Sequence, residues 1–296
     1  MSPTSPAWFD RFLRDTPTSR STSVEGARIA YLHWENPGAP GLVFVHGHAA
    51  HAHWWDFIAP AFHETCNVLA LDLSGAGDSD HRQAYSVRQF ADEILACIDD
   101  AGLGRAHLVG HSFGGTLSRI AAWLHPDAFR SLVLVDSMIP ATRGARTPPP
   151  LPRSRTRHYP TIEEAVRRFR LRPPQPASHD YIISHIARHS VRREAAGYVF
   201  KLDAAVFAKM LPDESLPAAT EMIRDLGIPA AMIYGDHSRF FPAVAIPFLH
   251  TLLPEDKIVA IADAHHHVFL DQPLAFNEAL AGLLAGFQSD FQSNYQ

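Results

Sequence analysis

HLVGHSFGG, residues 107–115, joins an apolar run ending at Val109 to a stretch of helical spacing that continues to about His125. It contains Gly-x-Ser-x-Gly as Gly110, Ser112 and Gly114. Five residues of pattern occur easily by chance. A buried strand before the motif and a helix after it make it specific. A nucleophile on so sharp a turn takes a strained backbone conformation, and glycines keep bulky neighbours out of its way. The turn exposes the hydroxyl at the carboxyl end of a sheet, beside a helix N-terminus that favours developing negative charge. The simpler alternative is a glycine-rich turn with Ser112 merely capping the helix.

Outward from this segment, strands and helices alternate. Ala27–Trp34, Gly41–His46, Cys66–Leu71, Ala106–Val109 and Ser131–Val135 have the short apolar character of strands. His53–His63 has helical spacing through Trp54, Phe57, Ile58 and Phe62. Ser86 is a good N-cap for a helix that Gly102 ends. The alternation then breaks. After the Pro148–Pro152 connector, Thr161–Leu171 and Asp180–Met210 read as helical with no strand between them. It resumes with strands at Ala230–Tyr234 and Lys257–Ile261 and a last helix from about Leu274 to Phe287. The expected fold is α/β, a mostly parallel, doubly wound sheet with an inserted helical cap. The core is assigned to residues 1–137 and 226–296 and the cap to 138–225; the polar tail from Ser289 is expected to fray.

Composition narrows the function. With 46% hydrophobic residues the 296-residue chain can bury a sizeable core, and a net charge of −5 gives no reason to expect nucleic acid or an anionic membrane as partner. Cys66 and Cys97 are too few for a disulfide framework and read as inert buried thiols. Met1–Phe12 lacks the basic start and apolar run of a signal peptide, and no apolar stretch approaches membrane-spanning length. A cytoplasmic protein acting on a small molecule is expected; the sequence does not speak to oligomeric state.

The chain resembles the α/β-hydrolase fold family over about residues 24–137 and 228–285. His46-Gly47 resembles the family's oxyanion loop, Asp72-Leu-Ser-Gly-Ala-Gly-Asp-Ser79 its strand-four turn, and Gly110–Gly115 its nucleophile elbow. The resemblance implies a serine hydrolase with Ser112 as nucleophile and the backbone N–H groups of His48 and Phe113 as oxyanion donors. Composition cannot choose a general base among His265, His266 and His267. The family pattern, His-x4-acidic-x-Pro, selects His266, with Asp271 and Pro273 in the matching places. The usual acid lies in a loop resembling Gly-acidic-x-Asp, but here that loop reads Gly235-Asp236-His237-Ser238. A neutral hydroxyl cannot supply the charge. Asp136, at the end of the sixth strand as in some haloalkane dehalogenases and lactonases, is favoured, with Asp236 as the alternative.

Trp54, Trp55, Phe240 and Phe241 are candidate lining for an acyl pocket; ordinary core packing is the alternative. Nine arginines between Arg143 and Arg172 suit either an anionic substrate or a solvated face, and the solvated face is favoured. His46, His48, His51 and His53 share one loop, but no metal and no cofactor is expected, because ligand claims need geometry as well as residue type. A carboxylic ester is the expected substrate, with a lactone, thioester or carbon–carbon bond open on the same triad. Haloalkane dehalogenase and epoxide hydrolase activities are disfavoured, since relatives with them use an aspartate nucleophile. A metal-dependent hydrolase and a non-catalytic ligand receptor are the rivals from other classes.

Overall fold

The computed structural model describes residues 5–140, 157–177 and 179–293. Ten strands form: β1 (Thr18–Val24), β2 (Ala27–Trp34), β3 (Gly41–Val45), β4 (Asn67–Leu71), β5 (Ala106–His111), β6 (Phe129–Val135), β7 (Val191–Glu194), β8 (Gly197–Phe200), β9 (Ala230–Gly235) and β10 (Ile258–Ile261). Eight of them make one sheet in the order β1-β2-β4-β3-β5-β6-β9-β10. β1 and β2 run antiparallel to their neighbours, and every pairing from β4 to β10 is parallel. The helices are α1 (Ala7–Arg14), α2 (Val87–Asp100), α3 (Phe113–Leu124), α4 (Ile162–Val166), α5 (Asp180–His189), α6 (Ala219–Arg224), α7 (Ile246–Leu249), α8 (Val268–Asp271) and α9 (Pro273–Ser293).

β3, β4 and β5 are buried at every position because both faces of the sheet are covered. Alternation divides them: Leu42 and Phe44 of β3 join one core cluster, while Val43 and Val45 join the other. Leu132 and Leu134 of β6 likewise oppose Val133 and Val135. α2 starts where Ser86 predicts. Its hydroxyl accepts from the Gln89 N–H while the Gln89 side chain accepts from the Ser86 N–H, a reciprocal cap of about 1 kcal/mol.

Four expectations are corrected and one strand, β1, is added. His53–His63 forms two short 3-10 turns, Ala52–Trp55 and Ala59–Ala61, rather than a helix; Pro60 lacks the N–H that a longer helix would need. β1 went unread because its sequence, TSRSTSV, is polar and largely exposed at the sheet edge. The stretch Asp180–Met210 is helical only to His189; the β7–β8 hairpin and a turn at Phe207–Lys209 follow, with Gly197 at φ +127° in the hairpin. Thr161–Leu171 is helical only over α4, and α9 continues to Ser293, past the expected start of the frayed tail.

Between β6 and β9 the chain therefore makes an excursion containing α4, α5, the hairpin and α6. Polar bonds fasten it to the sheet side: Lys201 to Asp78 at 2.7 Å, Tyr85 to Asp203 at 2.8 Å and His51 to Ser190 at 2.8 Å. α6, inside the stretch assigned to the cap, packs on α3 through Met222 and Ile120. Among the described residues, no helix is long and apolar enough to cross a membrane.

Candidate active site

Ser112 sits between β5 and α3 with φ +53° and ψ −118°, a strained conformation for a residue with a side chain. The glycines around it are required by close approach. A Cβ at Gly114 would lie 2.3 Å from the His46 carbonyl oxygen, and one at Gly110 would lie 2.7 Å from the Gly114 carbonyl oxygen. The turn is braced from β6: Ser137 donates its hydroxyl to the Ser112 carbonyl at 2.7 Å.

His266 lies in the loop between β10 and α8. Its Nε2 is 2.9 Å from Ser112 Oγ, and its Nδ1 is 2.7 Å from Asp136 Oδ1. Asp136 directly follows β6 with φ +44°. Its carboxylate accepts two further hydrogen bonds, from the Ser238 hydroxyl at 2.7 Å and the Gly235 N–H at 3.1 Å. Asp236 is placed otherwise: its side chain is exposed, and Oδ1 accepts from the Ala264 N–H at 3.4 Å.

Burial governs the electrostatics. It pushes the His266 imidazole below its ordinary value and so favours the neutral ring that can accept a proton. Burial pushes the Asp136 carboxyl up, while the bonds from Ser238 and Gly235 work in the opposite direction and favour the anion. With Nδ1–H donated to Asp136, His266 presents an unprotonated Nε2 to Ser112.

Asp271, the acidic residue of the His-x4-acidic-x-Pro pattern, shapes this loop. Its Oδ2 accepts from the His265 N–H at 2.8 Å and from Gln175 at 3.0 Å, and lies 3.0 Å from the His265 ring. Gln175 in turn accepts from the His267 N–H at 2.9 Å. The spacing thus reflects a carboxylate that ties off the turn presenting His266.

Phe113 opens α3, so its N–H is one of the first-turn donors without an intrahelical acceptor. His48 lies on the loop after β3, where Ala49 takes φ +63° and the Ala50 N–H donates to the Gly47 carbonyl at 3.2 Å. His46 fixes that loop. Its Nδ1–H donates to the Gly47 carbonyl at 2.7 Å and its Nε2 accepts from the Leu73 N–H at 3.1 Å. Asp72 holds the same loop from the strand-four turn, accepting from the N–H groups of Ala52 and Asp78 at 2.7 and 2.8 Å. A Cβ at Gly77 would strike the Asp72 carboxylate at 2.1 Å, which accounts for glycine in that motif.

Three of the four expected pocket aromatics belong to the core. Trp55 is fully buried, stacked on Phe44 and Phe269 at 4.7 and 4.4 Å. Trp54 is buried edge-on to His267, and Phe241 is buried against Tyr234. Phe240, half-buried with its ring 4.5 Å from that of His266, stands beside the reactive groups.

Two contributors escape sequence reasoning. Phe207, from the excursion, touches the rings of both His48 and Phe113, at 4.3 and 5.0 Å. His111, the residue before Ser112, donates from Nε2 to the His266 carbonyl at 3.0 Å; burial pushes its pKa down to about 3 and keeps it neutral. No sequence pattern pairs Phe207 with a loop 159 residues away. His111 was visible only as the variable place of the Gly-x-Ser motif. Of the nine arginines, Arg157, Arg167, Arg168, Arg170 and Arg172 are exposed. Arg143, Arg146, Arg153 and Arg155 lie outside the described residues.

Residues 40–160 match a family model described as alpha/beta hydrolase fold. An uncharacterized hydrolase of Bacillus subtilis is 24% identical over 286 residues, 90% of this chain and 97% of that one. The pimeloyl-acyl-carrier-protein methyl ester esterase of Neisseria meningitidis is 26% identical over 252 residues, 79% of this chain and 90% of that one. Among solved structures, E-2-(acetamidomethylene)succinate hydrolase superposes with a TM-score of 0.74 at 21% identity, over 91% of this chain and 99% of that one. At that identity the likeness speaks for the fold alone.

Proposed function

Because the chain belongs to the α/β-hydrolase fold family and is a hydrolase, we propose that it cleaves carboxylic esters of small or medium-sized molecules through an acyl-enzyme on Ser112. The observation that carries this reading is the continuous hydrogen-bond chain from Ser112 Oγ through His266 to Asp136, with links of 2.9 and 2.7 Å. Ser112 Oγ attacks the ester carbonyl carbon as His266 Nε2 takes its proton. The oxyanion is met by the N–H groups of Phe113 and His48, worth a few kcal/mol each when preorganised. The imidazolium is stabilised by Asp136, then gives its proton to the departing alkoxide. Water, deprotonated by His266, attacks the acyl-enzyme and releases the carboxylic acid, returning the proton to Ser112.

In this reading the excursion after Asp136 acts as the cap over residues 138–225, with α6 serving the core layer beneath it. Phe207 supports that role, since it brings excursion side-chain surface onto both proposed oxyanion residues. Phe240 is the proposed substrate-lining residue. The exposed, unpaired thiol is absent among the described residues: Cys66 and Cys97 are both buried and free, which fits a reducing compartment such as the cytoplasm.

The test is covalent. A fluorophosphonate probe should label the protein at one site, and Ser112→Ala should abolish labelling while circular dichroism stays unchanged. Absence of labelling in folded wild-type protein would sink the serine mechanism and leave a receptor or a metal-dependent reaction. Nitrophenyl esters of increasing chain length, run beside lactones and thioesters, should show the highest kcat/KM for an ester.

A further inference from the structure

Two groups of metal-ligating side chains come together among the described residues. His111, His266 and His267 belong to the site already described. His53, Asp56 and His189 do not, and they lie where the excursion meets the core. His53 lies within the 3-10 turn Ala52–Trp55, Asp56 directly follows that turn, and His189 ends α5.

One ligand atom from each of these three residues lies within 4.8 Å of the others. His53 Nδ1 is 2.9 Å from Asp56 Oδ2, and the His53 and His189 rings are stacked at 3.9 Å. His185, one helical turn before His189 on the same face of α5, reaches the same carboxylate oxygen at 2.8 Å. Asp56 is buried, and its other oxygen, Oδ1, has no hydrogen-bond partner among the described residues. A buried carboxylate oxygen without a partner is costly, and a cation removes that cost. Asp72 and Lys201 also face the cluster; the Lys201 ammonium is engaged by Asp78 at 2.7 Å.

We infer that His53, Asp56 and His189 form a binding site for a divalent transition metal of the zinc class, fastening the excursion to the core. Two imidazoles and a carboxylate are a donor set that zinc accepts, with water in the fourth position. Donors at about 2.0–2.1 Å from a tetrahedral ion stand about 3.4 Å apart. Closure by up to roughly an ångström and a half, with rotation of the His53 and His189 rings out of their stack so that their lone pairs converge, completes the site. His185 is a positioning residue that holds Asp56 through its second-layer hydrogen bond.

The experiment uses the full chain, stripped with chelator and titrated with Zn²⁺ by calorimetry and with Co²⁺ by visible absorption. The expected result is saturable binding whose affinity falls at least about 100-fold in both His53→Ala and His189→Ala, and about 10- to 100-fold in His185→Gln. At roughly 100 times the dissociation constant, Zn²⁺ should raise the melting temperature by about 5 °C, in Ser112→Ala as well as in wild type. Binding at His111, His266 and His267 would instead survive these substitutions and block fluorophosphonate labelling. Circular dichroism checks each variant's fold, and His189→Gln replaces any alanine variant that fails it. Absence of saturable binding, or binding that the His53 and His189 substitutions leave intact, would overturn the site and reduce the cluster to a hydrogen-bond network.

Discussion

Ser238 donates its hydroxyl to Asp136 Oδ1 across 2.7 Å, the same oxygen that lies 2.7 Å from His266 Nδ1. The side chain at position 238, where the resemblance places the acid, thus reaches the oxygen that faces the proposed base. The carboxylate stands instead just after β6, and residue 238 supplies a hydrogen bond to it. This arrangement makes the acid question answerable by exchange.

Asp136→Asn should lower kcat on a nitrophenyl ester by about 10³- to 10⁴-fold, because an amide neither stabilises the imidazolium nor holds the right tautomer. Asp236→Asn should stay within about 2-fold. Adding Ser238→Asp to Asp136→Asn should recover about 10- to 100-fold, since residue 238 already reaches that oxygen. Turnover with circular dichroism as the folding check decides it; a large loss confined to Asp236→Asn would refute the assignment.

Phe207→Ala should raise KM several-fold and lower kcat less, because Phe207 touches the side chains of His48 and Phe113 rather than a proton carrier. Stability should fall by about 2 kcal/mol for a partly buried aromatic. Steady-state kinetics and urea denaturation separate the two effects.

Gly114→Ala should prevent folding or cost more than about 3 kcal/mol. The added methyl would meet two backbone carbonyl oxygens, of His46 at 2.3 Å and Val45 at 2.6 Å, and neither can swing away as a side chain does. Soluble yield and melting temperature report this directly. Gly282→Ala, on the open side of α9 with nothing near its Cβ, should be neutral or stabilising.

Acid should destabilise the protein through its buried histidines. Burial, and secondarily Arg130, pushes His107 down to about 4 while it bonds Ser131 at 2.8 Å. A pKa depressed on folding means that the unfolded chain gains the proton first as pH falls. The contribution is intact above about 6.5 and is lost as pH falls from there towards 4, by about 2 kcal/mol between pH 7.5 and 5. Urea midpoints at those two pH values should differ more in wild type than in His107→Gln.

The residues that could be read from sequence are those whose local pattern is itself the physical requirement. β3 announces itself because burial on both faces leaves no polar position, and β5 does so through its apolar run from Leu108 to Val109. Ser86 announces α2 because an N-cap is a local signal. Ser112 and its glycines are legible because the elbow excludes other side chains. The misses share one cause, dependence on distant partners. β1 is polar and owes its existence to pairing with β2. The β7–β8 hairpin lies in a stretch whose apolar spacing also suits a helix, and Trp55 is core because Phe44 and Phe269 enclose it. His266 and Asp136 are 130 residues apart, so their meeting belongs to the sheet order and not to any motif.

The Gly235 N–H that bonds Asp136 joins two positions 99 residues apart, the last step out of β6 and the last residue of β9. The excursion therefore leaves the sheet at Asp136, and β9, the strand on which the chain returns, ends against the same carboxylate. The stretch between β6 and β9 can therefore be exchanged as one block, in a chimera joined after Asp136 and before Ala230, leaving both strands and the bond between their ends in place.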